Sequence, residues 1–282
     1  MKAVITAGGE GRRLYPSSRA FPKELIHFCG FPIIEHGIRM LKENNINDIF
    51  IVTGRKKGAL QDYFGSGWLF DVNIAYITQE EPKGLGDAVL CTRPYIEDSR
   101  DENFVLMLGD TILNNACDLK EMLELHSLQG ALSTTLVEKI CLHPERYGVV
   151  KLKNFDGNYS EVEDFYEKPQ SQDIRDKFSF NGCWFVIAGL YVLNKRIFHY
   201  IENTPMGANS ELQLTDALKK SLSDSKSLAY LMKGTRVDVG TWEYLKDERE
   251  HYRNMSDDEL YKIISSRKSL IKKIASSRKS QS

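Results

Sequence analysis

Hydrophobic and polar positions in the first half of the chain follow two alternating periods. KAVITAG, residues 2–8, is a short, dense apolar run of the kind a buried strand needs. In PIIEHGIRMLKENN, Ile34, Ile38 and Leu41 recur at helical spacing, and Asn44 and Asn45 supply a stop. DIFIVTG then predicts a strand, KGALQDYFG a short helix, VNIAYITQ a strand, GLGDAVLCTRPYI a helix and NFVLMLGD a strand. A β-α-β-α-β-α-β order with short connections predicts an α/β fold whose mainly parallel sheet is covered on both faces.

The middle of the chain is less regular. ALSTTLVEK, YGVVKLK, YSEVEDFYEKP and CWFVIAGLYVLN predict strands, and a substrate-specific lobe would be inserted here. ELQLTDALKKSLS predicts a helix that buries Leu212, Leu214 and Leu218; SLAYLMKG and RVDVG return to strand. A helical C-terminus begins near Trp242. Its last part, rich in Ser, Lys and Arg, has an apolar face at Ile263, Ile264, Leu270, Ile271 and Ile274. A packing helix or solvated tail explains that stretch better than a nucleic-acid or membrane arm. No repeat of fixed period occurs, hexapeptide β-helix repeats included.

Composition changes this picture little. The chain has 282 residues and a net charge of -1, so it can bury a large core and carries no overall bias toward nucleic acid or membrane. No apolar run is long enough to span a bilayer, and the N-terminus reads as a strand rather than a signal peptide. The five cysteines, Cys29, Cys91, Cys117, Cys141 and Cys183, are scattered without a CxxC pair. That spacing argues against a disulfide framework and a structural zinc site, and for reduced thiols in a cytoplasmic protein.

The chemistry starts at the end of the first strand. Gly8, Gly9 and Gly11 let the backbone pass close to a ligand with its N–H groups turned inward, as phosphate oxygens require. A dinucleotide fingerprint from Gly9 fails at Leu14, and no Gly-Lys-Ser/Thr completes a P-loop. Arg12, Arg13 and Lys23 add permanent positive charge to a long loop stiffened by Pro16 and Pro22, an arrangement suited to a triphosphate.

GGEGRRLYP followed by FPKEL resembles the signature of sugar-1-phosphate nucleotidyltransferases, the NDP-sugar pyrophosphorylases. TQEEPKGLGDAV, LMLGD, YGVV, YEKP, AGLYVLN, ELQLTDAL and VDVGTW follow in the family's order over roughly the first 245 residues. Within the family the chain is most similar to glucose-1-phosphate thymidylyltransferases and UTP–glucose-1-phosphate uridylyltransferases. PKEL, KGLGDAV and LQLTDAL lean to the uridylyl side; LGD and VDVGTW lean to the thymidylyl side. The resemblance implies a Rossmann-like mixed sheet flanked by helices, the nucleotide-diphospho-sugar transferase fold, with an inserted sugar-binding lobe. It divides the chain into a catalytic domain, 1–241, and a C-terminal helical extension with a basic tail, 242–282.

The implied reaction joins a nucleoside triphosphate to a sugar 1-phosphate, most simply UTP or dTTP with glucose 1-phosphate, and releases pyrophosphate. Positioning and cations catalyse such a transfer, and no covalent nucleophile is needed. By the resemblance Arg13 takes the β- and γ-phosphates, and Lys23 bridges the α-phosphate and the incoming sugar phosphate, with Arg12 in support. Gly8, Gly9 and Gly11 approach the nucleotide. Gln79 and Gly84 meet a pyrimidine base, the Gln79 amide serving as donor and acceptor at once. Gly148, Glu167, Lys168, Gly189 and Tyr191 hold the sugar phosphate, with Glu211 and Asp216 as weaker candidates. Asp110, at the C-terminal edge of the sheet, and Asp238 would hold Mg²⁺. Homo-oligomerisation is also implied. The alternatives are another base or sugar, cytidylyl transfer for example, or an inactive regulatory domain of the same fold. Retention of Arg13, Lys23, Asp110 and Asp238 together argues against the inactive domain.

Overall fold

The computed structural model describes residues 1–279 apart from 16, 56–57, 156, 208–209 and 240–243. Pro16, Trp242, the predicted boundary at 241/242 and the side chain of Ile274 lie outside the described residues.

In chain order, β1 (Lys2–Ala7) leads through the short α1 (Ser17–Ala20) and the hairpin of β2 (His27–Phe28) and β3 (Phe31–Pro32) to α2 (Ile33–Glu43). Next come β4 (Asp48–Gly54), α3 (Gly58–Phe64), β5 (Asn73–Gln79), α4 (Leu85–Leu90), α5 (Arg93–Glu97) and β6 (Asn103–Leu108). The middle holds β7 (Thr111–Leu113), α6 (Ala116–Gln129), β8 (Ser133–Ile140), β9 (Gly148–Leu152), β10 (Tyr159–Glu167), α7 (Gln172–Phe178) and β11 (Trp184–Asn194). The chain closes with α8 (Ile197–Glu202), α9 (Leu214–Ser221), β12 (Ser227–Leu231), β13 (Arg236–Asp238), α10 (Tyr244–Asn254) and α11 (Asp257–Lys279).

The predicted helix GLGDAVLCTRPYI is two helices, because Pro94 has no N–H to return to the Leu90 carbonyl and α4 stops before it.

A mixed sheet runs in the order β5-β4-β1-β6-β11-β8-β12-β10-β9. The β5, β4, β1 and β6 strands are parallel, and β11 enters antiparallel to both β6 and β8. Alternate residues of the parallel strands feed two cores. Val4, Val52 and Leu106 face one; Ile5, Ile51 and Met107 face the other. The fully buried strand pattern at the start of the sequence follows from cover on both faces. Among the described residues no helix is long and apolar enough to cross a membrane.

The basic C-terminal stretch docks. In α11, Ile263 reaches Gly30 and Leu270 packs on the core under α2, while Ile264 and Ile271 stay exposed. Arg267 donates to the Gly30 carbonyl at 2.6 Å and pairs with the fully buried Glu35, which Arg39 also holds. Both guanidinium groups lie over the Phe31 ring, at 4.2 and 4.3 Å. Lys273 and Lys42 bond Asp71 and hold its carboxyl down at about 2.

One expectation from the cysteine spacing is overturned: Cys141 and Cys183 form a disulfide, while Cys29, Cys91 and Cys117 are free thiols. The residues stand 42 positions apart, so spacing is silent about them. The antiparallel register sets Ile140 of β8 opposite Trp184 of β11, which puts the two cysteines side by side one step beyond.

Candidate active site

The glycine loop owes its shape to one apolar anchor. Gly11, at φ 65°, begins a single turn over Arg12–Leu14, and Leu14 is completely buried. That anchor separates the arginines. Arg12 turns outward and pairs with Glu10 at 2.6 Å, whereas Arg13 lines a pocket at the C-terminal end of β1. A second turn, Lys23–Leu25, follows Pro22 and sends the Lys23 ammonium to within 2.5 Å of an Asp110 carboxylate oxygen. Burial works against the Lys23 charge, but Asp110 and Glu24 outweigh it and keep the lysine above its ordinary pKa. Burial likewise opposes the Asp110 carboxylate, and Lys23 overcomes it, holding that carboxyl below the usual range.

Asp110 and Asp238 meet through a two-stranded sheet. β13 pairs antiparallel with β7, setting Asp238 opposite Thr111, and the Val239 N–H donates to the Asp110 carbonyl. Gly109 is needed at the turn because its N–H bonds the Thr6 carbonyl, and a Cβ there would lie 2.8 Å from that oxygen. The glycine of LGD thus has a packing reason independent of which base is bound. Tyr147 donates to Asp238 at 3.4 Å, and its ring lies 4.4 Å from the Arg236 guanidinium, which Glu138 holds at 2.8 Å. Burial disfavours the Arg236 charge, and Glu138 more than compensates.

At one end of the site, Gln79 closes β5. Its amide nitrogen donates to the Asp87 carboxylate at 2.6 Å and to the Gly84 carbonyl at 3.2 Å. Gly84 has φ 102°, and a Cβ there would fall 2.6 Å from the Leu212 carbonyl. The Leu212 segment clamps this loop, since its N–H bonds Lys83 and its carbonyl takes the Gly86 N–H. At the opposite end, Glu167 accepts from the Thr215 hydroxyl at 2.7 Å and pairs with Lys168 at 3.1 Å. Lys168 has φ 46°, a conformation few non-glycine residues adopt, just where β10 ends. Gly189, at φ 85°, lies where the β11–β8 register shifts. A Cβ there would crowd Leu108 and Thr111 at 3.2 Å. Tyr191 is buried below, and burial raises its hydroxyl pKa.

One pocket of about 400 Å³ is lined by Gly8, Gly9, Arg13, Lys23, Gln79, Gly84, Asp110, Gly148, Glu167, Lys168, Gly189, Tyr191, Glu211 and Asp238. Gly11 and Arg12 do not line it: Gly11 stands behind, against Ser18 and the Lys23 stem, and Arg12 faces solvent. Asp216 is not in the wall either; burial raises its pKa. Tyr147, Arg146, Arg236, Gln213 and Thr215 also line the pocket, although no sequence motif singles them out. Arg236 could have been found, because it stands two residues before Asp238 on a strand and so shares its face.

The donor set fits a divalent cation. Asp110 and Asp238 are brought together, and an ammonium already lies against Asp110. Among the described residues no cluster of three His, Cys, Asp or Glu forms. A bound ion would therefore fill its shell with phosphate oxygens and water, as Mg²⁺ prefers.

Residues 2–255 match the family model described as nucleotidyl transferase, so the chain belongs to that family. Its relatives define it more narrowly, as a sugar-1-phosphate nucleotidyltransferase. The UTP–glucose-1-phosphate uridylyltransferase YngB of Bacillus subtilis is 32% identical over 264 residues, which is 85% of this chain and 84% of that protein. A second UTP–glucose-1-phosphate uridylyltransferase of the same organism is 34% identical over 263 residues, 85% of this chain and 86% of that one. A crystal structure of UDP-glucose pyrophosphorylase complexed with UDP-glucose superposes with a TM-score of 0.79 at 28% identity, covering 90% of this chain and 99% of the other. The family match extends past residue 241 through α10.

Proposed function

We propose that this nucleotidyltransferase converts UTP and glucose 1-phosphate to UDP-glucose and pyrophosphate in the cytoplasm. The observation that carries the reading is the meeting of Arg13 and Lys23 with Asp110 and Asp238 in one pocket that also holds Gln79 and Glu167. The relatives named for this reaction support the choice of substrates.

The triphosphate lies along the glycine loop, where Gly8 and Gly9 admit it closely and Arg13 takes the β- and γ-phosphates. Glucose 1-phosphate enters from the β10–β11 side. Glu167, fixed by Thr215, accepts from sugar hydroxyls, and Lys168 pairs with the phosphate. A phosphate oxygen of the sugar then attacks the α-phosphorus in line, and pyrophosphate leaves on the opposite side. Lys23 stands between the two anions and offsets their repulsion, and Arg13 stabilises the charge that gathers on the leaving group. Mg²⁺, held by Asp110 and Asp238, would neutralise phosphate charge when bound. Tyr147, its ring against the Arg236 guanidinium, keeps Asp238 oriented.

A pyrophosphate-release assay crossing UTP, dTTP, CTP and ATP with several sugar 1-phosphates tests this. The highest kcat/KM is expected for UTP with glucose 1-phosphate. Pyrophosphate release with no other pair exceeding it supports the proposal; absence of release with any pair refutes it.

A further inference from the structure

The amide of Gln79 has two N–H bonds, and both are engaged. One goes to the Asp87 carboxylate at 2.6 Å, the other to the Gly84 carbonyl at 3.2 Å. Both partners are acceptors only, so the opposite orientation of the amide would face two oxygens with a third. The orientation is therefore dictated by the neighbours. What remains for a ligand is the carbonyl oxygen, Oε1, a pure acceptor. It lies against Gly8, where a Cβ would come within 2.7 Å of it, so only glycine leaves room for the amide in this position. The sequence expectation is an amide that donates and accepts toward the base at once; here its N–H groups turn to Asp87 and Gly84.

We infer that Asp87 is a positioning residue for base selection: by pinning the Gln79 amide nitrogen, it leaves only an acceptor facing the pyrimidine. The inference rests on the proposed function in one respect, that the Gln79 end of the pocket takes the base. An acceptor suits a ring whose N3 carries hydrogen, as in uracil and thymine. Cytosine presents an unprotonated N3 at the same edge, and two acceptors in contact repel. Discrimination comes from the unfavourable pairing with the wrong base as much as from the good one with the right base. Asp87 does not itself line the pocket. Its bland alternative is a carboxylate in the first turn of α4, where negative charge is favoured anyway.

The two roles separate in a comparison of UTP with CTP. Wild type, Asp87→Asn and Asp87→Ala are assayed for pyrophosphate release with both nucleotides at fixed glucose 1-phosphate, with folding checked by thermal melts. Without the Asp87 carboxylate only the longer bond to the Gly84 carbonyl, at 3.2 Å, still holds the Gln79 amide nitrogen, and the amide can turn over far more readily. The preference for UTP, as a ratio of kcat/KM values, should then fall about tenfold or more in Asp87→Ala, the scale of one such hydrogen bond, and less in Asp87→Asn, whose Oδ1 can still accept. The KM for glucose 1-phosphate should stay within about twofold. A folded Asp87→Ala variant that keeps the wild-type UTP:CTP ratio overturns the role of Asp87. Gln79→Ala tests the foundation separately: if it leaves the UTP KM unchanged, the base does not bind there and both ideas fall.

Discussion

The two halves of the pocket are built by different means. On the side proposed for the nucleotide, the parallel strands β1, β4, β5 and β6 end at one edge, and the pocket-lining groups sit at those strand ends or in the segments that follow them. Gly8, Arg13, Gln79 and Asp110 are all of this kind. On the side proposed for the sugar, nothing is so local. Gly189 sits at a register shift, Lys168 adopts a left-handed backbone, Glu167 takes its orientation from Thr215 of α9, and Asp238 arrives on a separate strand pair. One half depends on glycine backbone beside charge, the other on long-range register.

The largest effect should come from the loop half. Arg13→Ala is expected to lower kcat about a hundredfold or more, the scale of losing one charge-stabilising group. Because the side chain is exposed, the melting temperature should barely move. A purely structural arginine would show the reverse pattern, and pyrophosphate release beside a thermal melt separates them.

The sugar half should respond differently. Glu167→Ala should raise the KM for glucose 1-phosphate about tenfold to a hundredfold, in the range of hydrogen bonds to a charged group, and leave the UTP KM nearly unchanged. An equal rise in both constants would show that the halves are not separate.

Gly84→Ala probes the clamp between them. The added methyl meets the Leu212 carbonyl at 2.6 Å in a backbone conformation that suits only glycine. A stability loss of about 1–3 kcal/mol in chemical denaturation is expected, together with a higher UTP KM. A stable variant with unaltered UTP affinity would remove the clamp from the account.

The same contrast explains how much was legible in the sequence. Glycines, a stiff cationic loop and strand-end acids announce themselves, because each is decided by its immediate neighbours. Tyr147 and Arg236 did not, since their place depends on β13 pairing with β7 and on stacking across the pocket. The Cys141–Cys183 bond was hidden for the same reason. Gly11, in contrast, looked like a ligand contact and is a turn-former, with Leu14 as the residue that dictates it. Gly109 was read for its bearing on base choice, yet the close Thr6 carbonyl accounts for it. The packing of α11 was half visible: Ile263 and Leu270 face inward, but Arg267 reaches a carboxylate, Glu35, that no spacing rule connects to it.

The smallest effect lies outside the pocket, under the sheet. His126 of α6 is buried beside Thr134, and burial pushes its pKa down to about 4. The unfolded chain, with an ordinary pKa of about 6.5, takes up the proton first. The stability tied to the neutral ring is therefore complete above about pH 6.5 and is lost progressively as pH falls toward 4. At pH 5.5 the loss should be about 1 kcal/mol. Denaturation of wild type and His126→Phe between pH 7.5 and 5.5 should show a flatter profile for the variant; parallel profiles would contradict this.

The most direct test of the central claim is a crystal structure with UTP and Mg²⁺ bound. The account predicts the triphosphate between Arg13 and Lys23 on one side and an ion on Asp110 and Asp238 on the other, with the N3–H of uracil on Gln79 Oε1. A triphosphate bound elsewhere, with Arg13 and Lys23 turned to solvent and no ion between the two aspartates, would contradict it.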